Sequence, residues 1–353
     1  MMAGLAFPII EADEVVERGA RSPFPSRTRG KFIKQFSGPG EDSGVVCFKF
    51  WQLSHASGCP FQCAYCFLQT TAYFRFNKAA LMGQIYPDYA QMIGEVERWL
   101  ESPTPRMLIV GELQDGLAFD SAYAAKTGKA LTHHLIPLFA AQDRHRLIFL
   151  TKSTLIRHAL KLKASPQVVF SWSVNSEYAA KKWEIGAPPP RRRFDAAARL
   201  SAEGWPIRFR LDPMIPYEDG GDTWRQGYAE AVDRIKAMPT EMVTIGALRA
   251  SSRGGLTAAA AKNDRPTDLF AYLSEKDPSG FKYRVPFADQ VAMYRFVIDR
   301  LEGSPITPAL CKEDVSVWNA LGLSFRGCHC LLNGPAVADE LEPGVGYRGA
   351  LVL

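Results

Sequence analysis

The strongest constraint on this chain is a rhythm. Six short runs rich in β-branched and aromatic residues stand out: "GVVCFKFWQL" (44–53), "RMLIVGEL" (106–113), "RLIFLTKS" (146–153), "VVFSWSVN" (168–175), "IRFRLDPMIP" (207–216) and "EMVTIGAL" (241–248). Helix-like stretches separate them. Parallel neighbours can be joined only by long crossovers, so strands alternating with helices predict a parallel sheet and an α/β fold. Between the first two runs, "YAQMIGEVERWLE" puts Met92, Ile93, Val96, Trp99 and Leu100 on one face, as a crossover helix requires. "RFDAAARLSAEG" (193–204) precedes the fifth run, with Gly204 placed to end a helix. At 353 residues, 47% hydrophobic and 22% charged, the chain has ample material for a core and lies in the size range of one α/β barrel with extensions.

This divides the chain into a basic N-terminal arm (1–44), a core of alternating strands and helices (45–250) and a C-terminal extension (251–353). The arm carries Arg18, Arg21, Arg27, Arg29, Lys31 and Lys34 among Ser, Pro and Gly. Such a segment is either a solvated extension or a phosphate contact. A net charge of +5 permits contact with phosphates without demanding it. No run approaches the roughly 18 consecutive apolar residues of a membrane-spanning helix. The first twenty residues turn acidic at Glu11 and Asp13 and lack the basic start of a secretory signal, which points to the cytoplasm.

Most of the runs end in polar or special residues: Glu112 and Asp115, Lys152, Ser173 and Asn175, Arg210 and Asp212. The carboxyl ends of parallel strands are where ligands bind, so these residues mark one rim of one site. Each also has a purely structural alternative, a helix cap for Asn175 or Asp212 and a salt bridge for Arg210 with Asp212.

Just after the first run comes "GCPFQCAYC" (58–66), with three of the chain's seven cysteines spaced Cys-x-x-x-Cys-x-x-Cys. A closed zinc site asks for four ligands, commonly two paired units, and no second Cys-x-x-Cys exists here. Three thiolates instead suit a four-iron, four-sulfur cluster whose fourth iron is left open to a ligand.

Cys59, Cys63, Tyr65 and Cys66 resemble the Cys-x-x-x-Cys-x-aromatic-Cys signature of the radical S-adenosylmethionine enzymes. That resemblance implies a partial (β/α)6 barrel of the TIM-like kind. It also implies a 4Fe-4S cluster on Cys59, Cys63 and Cys66, and S-adenosylmethionine on the open iron with Tyr65 against its adenine. The cofactor's one-electron cleavage then gives a 5′-deoxyadenosyl radical. A one-electron reductant such as flavodoxin or ferredoxin is implied as partner. Within that superfamily, "CAYCFLQTT", "RLIFLTKS", "SWSVNSEY" and "RFRLDPMIPYEDGGDTWRQGY" are similar, in order, to segments of the spore photoproduct lyase family over roughly residues 45–250. The family repairs an ultraviolet-induced thymine dimer, which makes DNA an expected partner. By the same resemblance Lys152, Ser173 and Asn175 hold S-adenosylmethionine, with Arg210 and Asp212 lining the pocket.

One departure stands out. The family places a hydrogen-donating cysteine after the second strand, and the matching segment "VGELQDGLAFD" has none. That position falls at or near Glu112, whose O–H bond is too strong to give up a hydrogen atom readily. With Gly111 it resembles the Gly-Glu pair that other members of the superfamily use for the methionine amino group. Tyr73, Tyr178 and Tyr217 are candidates for quenching a product radical.

Three further cysteines, Cys311, Cys328 and Cys330, are either a second metal site (iron–sulfur, or zinc with His329 as fourth ligand) or packed thiols. Cys47 reads as core. "APPPRRRF" (187–194) either grips phosphates or forms a solvated loop, and the aromatics of "YRVPF" (283–287) are too sparse to decide whether they stack bases. Three functions follow: a radical enzyme acting on a pyrimidine photolesion, a radical enzyme acting on a small molecule or peptide with a C-terminal auxiliary cluster, or a metal-stabilised nucleic-acid-binding protein without turnover.

Overall fold

The structure is a computed structural model describing residues 31–36, 44–47, 50–70, 83–86, 88–278, 280, 282–323, 328 and 330. Eight strands form its main sheet, in the order in which they occur along the chain: β1 (Ile33–Phe36), β2 (Phe50–Leu53), β3 (Met107–Val110), β4 (Arg146–Thr151), β5 (Val168–Ser173), β6 (Ile207–Met214), β7 (Met242–Ala247) and β8 (Thr307–Leu310). From β2 to β8 every pairing is parallel, and β1 runs antiparallel along the edge of β2. All six expected runs are present, trimmed by two to six residues. The first is broken, with Val45–Val46 pairing instead with Glu313–Asp314. The sheet also continues past both expected bounds of the core. Ile33–Phe36 of the arm and Thr307–Leu310 of the extension each add a strand.

Sequential parallel order follows from the helices between the strands. Helices α1 (Tyr89–Leu100), α2 (Asp120–Thr127), α3 (Leu131–Ala140), α4 (Glu177–Trp183), α5 (Pro190–Ala202), α6 (Trp224–Lys236), α7 (Arg253–Lys262), α8 (Phe287–Leu301) and α9 (Val315–Leu321) cover one face. In α1 the expected stripe is buried through Met92, Val96 and Trp99, and Gly204 follows α5 at φ +86°, the left-handed turn an L side chain resists. The strands divide by alternation. Leu108, Val110, Leu147, Phe149, Val168 and Phe170 pack toward the helices, while Phe50, Met107, Ile109, Ile148, Leu150 and Val169 form a separate cluster on the opposite, inner face. Phe36 and, from the far end of the chain, Cys330 pack onto that inner cluster. Among the described residues no helix is long and apolar enough to cross a membrane.

The arginine run of "APPPRRRF" is neither a phosphate grip throughout nor a solvated loop. Pro190 takes the first position of α5, where its missing N–H costs nothing, so Arg191–Arg193 are helical. Arg191 and Arg192 are exposed; Arg193 is buried completely. Arg18, Arg21, Arg27 and Arg29 lie outside the described residues, as do Tyr73 and His329.

Candidate functional site

The cysteine loop leaves the carboxyl end of β2 and is held by contacts from distant parts of the chain. Backbone bonds tie Ala64 N–H to the Trp183 carbonyl at 2.8 Å and Gly186 N–H to the Phe61 carbonyl at 3.0 Å. A Cβ on Gly186 would meet the Pro60 carbonyl oxygen at 2.9 Å, so this close approach requires glycine. Gln62, between the first two cysteines, sits at φ +47°, a conformation costly for a residue with a side chain. The amide of Gln69 donates to three carbonyls of the loop, those of Cys63 (3.2 Å), Ala64 (2.8 Å) and Cys66 (3.2 Å). Arg265 adds a fourth bond to the Cys63 carbonyl at 3.2 Å.

The three thiols interact electrostatically with one another, and burial is the main reason each is pushed above its ordinary pKa, Cys63 to about 12. Lys152 lowers Cys63 and Cys66, and Arg265 also lowers Cys66. Buried thiols of this kind become thiolates when a metal compensates their charge. Among the described residues no three His, Cys, Asp or Glu side chains converge on a point that could hold a single ion. Three thiols in one loop are the donor set of a cluster that takes one thiolate per iron, so the residue types present fit such a cluster.

Behind the loop lies a buried polar knot that sequence reasoning missed. Glu184, at the end of α4, accepts from the Tyr65 phenol and pairs with Arg193, both at very short range, while the Lys152 ammonium stands 3.9 Å away. Arg193 also donates to the Ser173 carbonyl at 3.0 Å and the Pro188 carbonyl at 2.7 Å. Burial alone would raise the Glu184 carboxyl, but Arg193 and Lys152 outweigh it and hold it down at about 2. Burial, then Glu184, pushes the Tyr65 phenol well above its usual value. The Lys152 ammonium lies 5.7 Å over the Tyr65 ring. Arg193 could have been suspected only from its place after three prolines, and Glu184 carried no signal at all.

Several rim residues are committed to neighbours within the protein. Gly111, at φ +120°, passes so close to β4 that a Cβ would lie 2.1 Å from the Leu150 carbonyl oxygen, so its glycine is a backbone requirement. Asp115 is a staple: its carboxylate accepts from Leu117 and Ala118 N–H, the Thr151 hydroxyl and Lys152 N–H at 2.7–3.0 Å. The Asn175 amide is likewise occupied, by the Pro213 carbonyl, Ser176 N–H and the Tyr228 hydroxyl. Tyr178 and Tyr217 stack on each other with centroids 4.5 Å apart, and Tyr178 is tied to Asp219 and Lys182.

Arg210 and Asp212 form an ion pair at 2.5 Å, which Arg249 extends by two bonds to Asp212 at 3.1 and 3.2 Å. Burial would raise Asp212, but Arg249 and Arg210 together hold its carboxyl far below the usual range. Glu112 reaches Arg210 at 3.9 Å and Lys312 at 3.3 Å. The Cys311 sulfur, just past β8, lies 3.4 Å from the Arg210 guanidinium and 3.6 Å from that of Arg249. Cys328 and Cys330 share a hydrogen bond, Cys330 interacts with Cys311 and Glu112, and Cys328 interacts with Cys47. The structure thus brings Cys47, expected in the core, into the neighbourhood of the three C-terminal cysteines.

The family model "Spore photoproduct lyase" matches residues 50–246, more than half of the chain. Spore photoproduct lyase of Bacillus subtilis (strain 168) is 26% identical over 192 residues, 53% of this chain and 51% of that protein. The Geobacillus sp. (strain Y412MC61) enzyme is 28% identical over 185 residues, 51% and 49% of the two chains. The chain therefore spans about half the length of the curated relatives it matches. Among solved structures, a substituted spore photoproduct lyase with bound AdoMet and dinucleoside spore photoproduct aligns with a TM-score of 0.58 at 20% identity, over 74% of this chain and 75% of that one. Spore photoproduct lyase complexed with dinucleoside spore photoproduct gives 0.57 at 19%, over 74% and 78%. At such identities these structures speak for the fold.

Proposed function

Because this chain belongs to the spore photoproduct lyase family, we propose that it is a radical S-adenosylmethionine enzyme acting on a pyrimidine photolesion in DNA, in the cytoplasm, with a flavodoxin- or ferredoxin-like reductant. The observation that carries this is the Cys59–Cys63–Cys66 loop, placed at the carboxyl ends of a parallel sheet and locked there by Gln69, Arg265 and the Trp183 and Gly186 backbone. A 4Fe-4S cluster with S-adenosylmethionine supplies, when bound, a one-electron reductive cleavage yielding a radical that abstracts hydrogen. Cys59, Cys63 and Cys66 would each hold one iron. Lys152 would meet the cofactor's carboxylate; its one anionic neighbour within ion-pair range among the described residues is Glu184, at 3.9 Å and already paired to Arg193. Glu112 next to Gly111 would accept from the amino group, Ser173 would bond ribose or carboxylate oxygens, and Arg210 would close that wall. Tyr65, its hydroxyl fixed by Glu184, offers a ring face that does not swing. Asn175 would act indirectly, by fixing the turn before α4.

The test is anaerobic reconstitution with iron and sulfide, then incubation with deuterium-labelled S-adenosylmethionine and ultraviolet-treated DNA. Thymine regenerated with cofactor cleavage is the expected result. Cleavage without any action on the DNA moves the substrate to a small molecule or peptide, and no cleavage at all leaves a binding protein.

The gathering of Cys47, Cys311, Cys328 and Cys330 favours one addition, a second metal site on the C-terminal cysteines, iron–sulfur or, with the thiols drawn together from positions where, among the described residues, no three converge on one ion, zinc. Iron and zinc counts on the Cys311, Cys328 and Cys330 triple alanine variant decide it: iron falls by half, or zinc is lost, or neither changes and the four are packed thiols.

A further inference from the structure

A second recess opens on the same rim, beyond the Arg210–Asp212–Arg249 chain. It is a shallow, open-sided recess whose enclosed part has room for little more than a water molecule, and it lies where β7 and β8 end. Arg249, Lys282, Arg284 and Lys312 line it, facing Asp277, Glu313 and Asp314. Three of the cations have carboxylate partners: Arg249 with Asp212, Arg284 with Asp314 at 2.9 Å, and Lys312 with Glu112 at 3.3 Å. Glu313 is buried and taken up by the Tyr294 hydroxyl and the Gln290 amide. Lys282 differs. Among the described residues no carboxylate lies within ion-pair range of its ammonium, although its backbone N–H reaches Asp277 at 3.2 Å.

An ammonium drawn out of water beside other cations is unfavourable unless an anion joins it. Burial comes first, then Arg249 and Lys312, in lowering the Lys282 pKa, and Asp277 and Glu313 only partly oppose them. Cations approaching from three separate segments (249, 282–284 and 312) suit a tetrahedral oxyanion better than a planar carboxylate, because its oxygens point in several directions at once.

We propose that this recess is a phosphate-binding subsite centred on Lys282, and that its occupant in use is a phosphodiester of the nucleic-acid substrate. The second half rests on the function proposed above; the first half does not.

Full-length protein is titrated with inorganic phosphate at constant ionic strength and followed by thermal unfolding, beside the Lys282→Gln variant. Phosphate should raise the melting temperature of wild type. The variant should bind phosphate about tenfold more weakly, the order of one charge-assisted hydrogen bond, without loss of intrinsic stability, since no carboxylate is orphaned. No effect of phosphate on wild type, equal affinity in the variant, or equal protection by acetate overturns the subsite. A thymidine dinucleotide with its phosphodiester should then bind more tightly than the same dinucleoside without it, and Lys282→Gln should erase the difference. If inorganic phosphate binds through Lys282 but the dinucleotide gains nothing, the site takes a soluble phosphate and the nucleic-acid assignment falls. If both bind as expected but irradiated DNA is not repaired, the proposed reaction fails and the subsite stands.

Discussion

The two cysteine regions of this protein are built in opposite ways. Cys59, Cys63 and Cys66 come from a single turn of chain and are held by contacts to backbone carbonyls, from Gln69 at close sequence distance and Arg265 at long distance. Cys47, Cys311, Cys328 and Cys330 come from three separate segments, and their neighbours are charged side chains: Arg210, Arg249, Glu112 and Lys312. A local loop keeps its spacing when its surroundings shift. A site assembled from distant segments exists only when the sheet is complete, because β8 and the segment after α9 must both dock to bring it together.

That contrast predicts different failures. Alanine at Cys59, Cys63 or Cys66 should abolish cofactor cleavage, because each thiolate serves one iron and none is spare. Alanine at Cys311, Cys328 and Cys330 together should leave the first cluster's iron and absorbance in place. Near-normal cleavage by a single variant of the first group, or loss of the first cluster in the second, would break the distinction.

The next effect in size lies under the first loop. Arg193→Ala strands the buried Glu184 carboxylate and should destabilise the fold by about 3–5 kcal/mol, read from a denaturant melt. The acid limb of stability carries the same signature. Glu184 has its pKa depressed in the folded state, so its contribution is complete above the unfolded value and is lost as pH falls toward about 2. Wild type should therefore lose stability on acidification below pH about 4.5, the ordinary value of this carboxyl, and Glu184→Gln should flatten that slope. An unchanged slope would mean that the knot does not stabilise the loop's support.

A smaller and more local effect is expected at Lys152. Lys152→Ala should weaken S-adenosylmethionine binding by about 1.5–3 kcal/mol, or roughly 10- to 150-fold, with little change in the melt. Collapse of the fold would place Lys152 with Arg193 as support for Glu184 instead of as a ligand.

What could be read before folding was whatever repeats locally or lies close in sequence. The β-branched runs, the α1 stripe of Met92, Val96 and Trp99, Gly204 as a helix stop and the three-cysteine loop are all of this kind, because strand, helix and turn preferences act over a few residues. The polar strand ends were legible as a rim, but their separate fates were not. Nothing in the residue types distinguishes Asp115 and Asn175, whose side chains are consumed by hydrogen bonds from neighbours, from Lys152, left with one ion partner at 3.9 Å. Arg193 looked solvated in a charge run and became the most deeply buried cation of the site, because only the packing of α4 against α5 could supply Glu184 as its partner. Cys47 joined the C-terminal thiols for the same reason. Partners far apart in sequence meet through the order in which strands pair, and that order belongs to the tertiary structure.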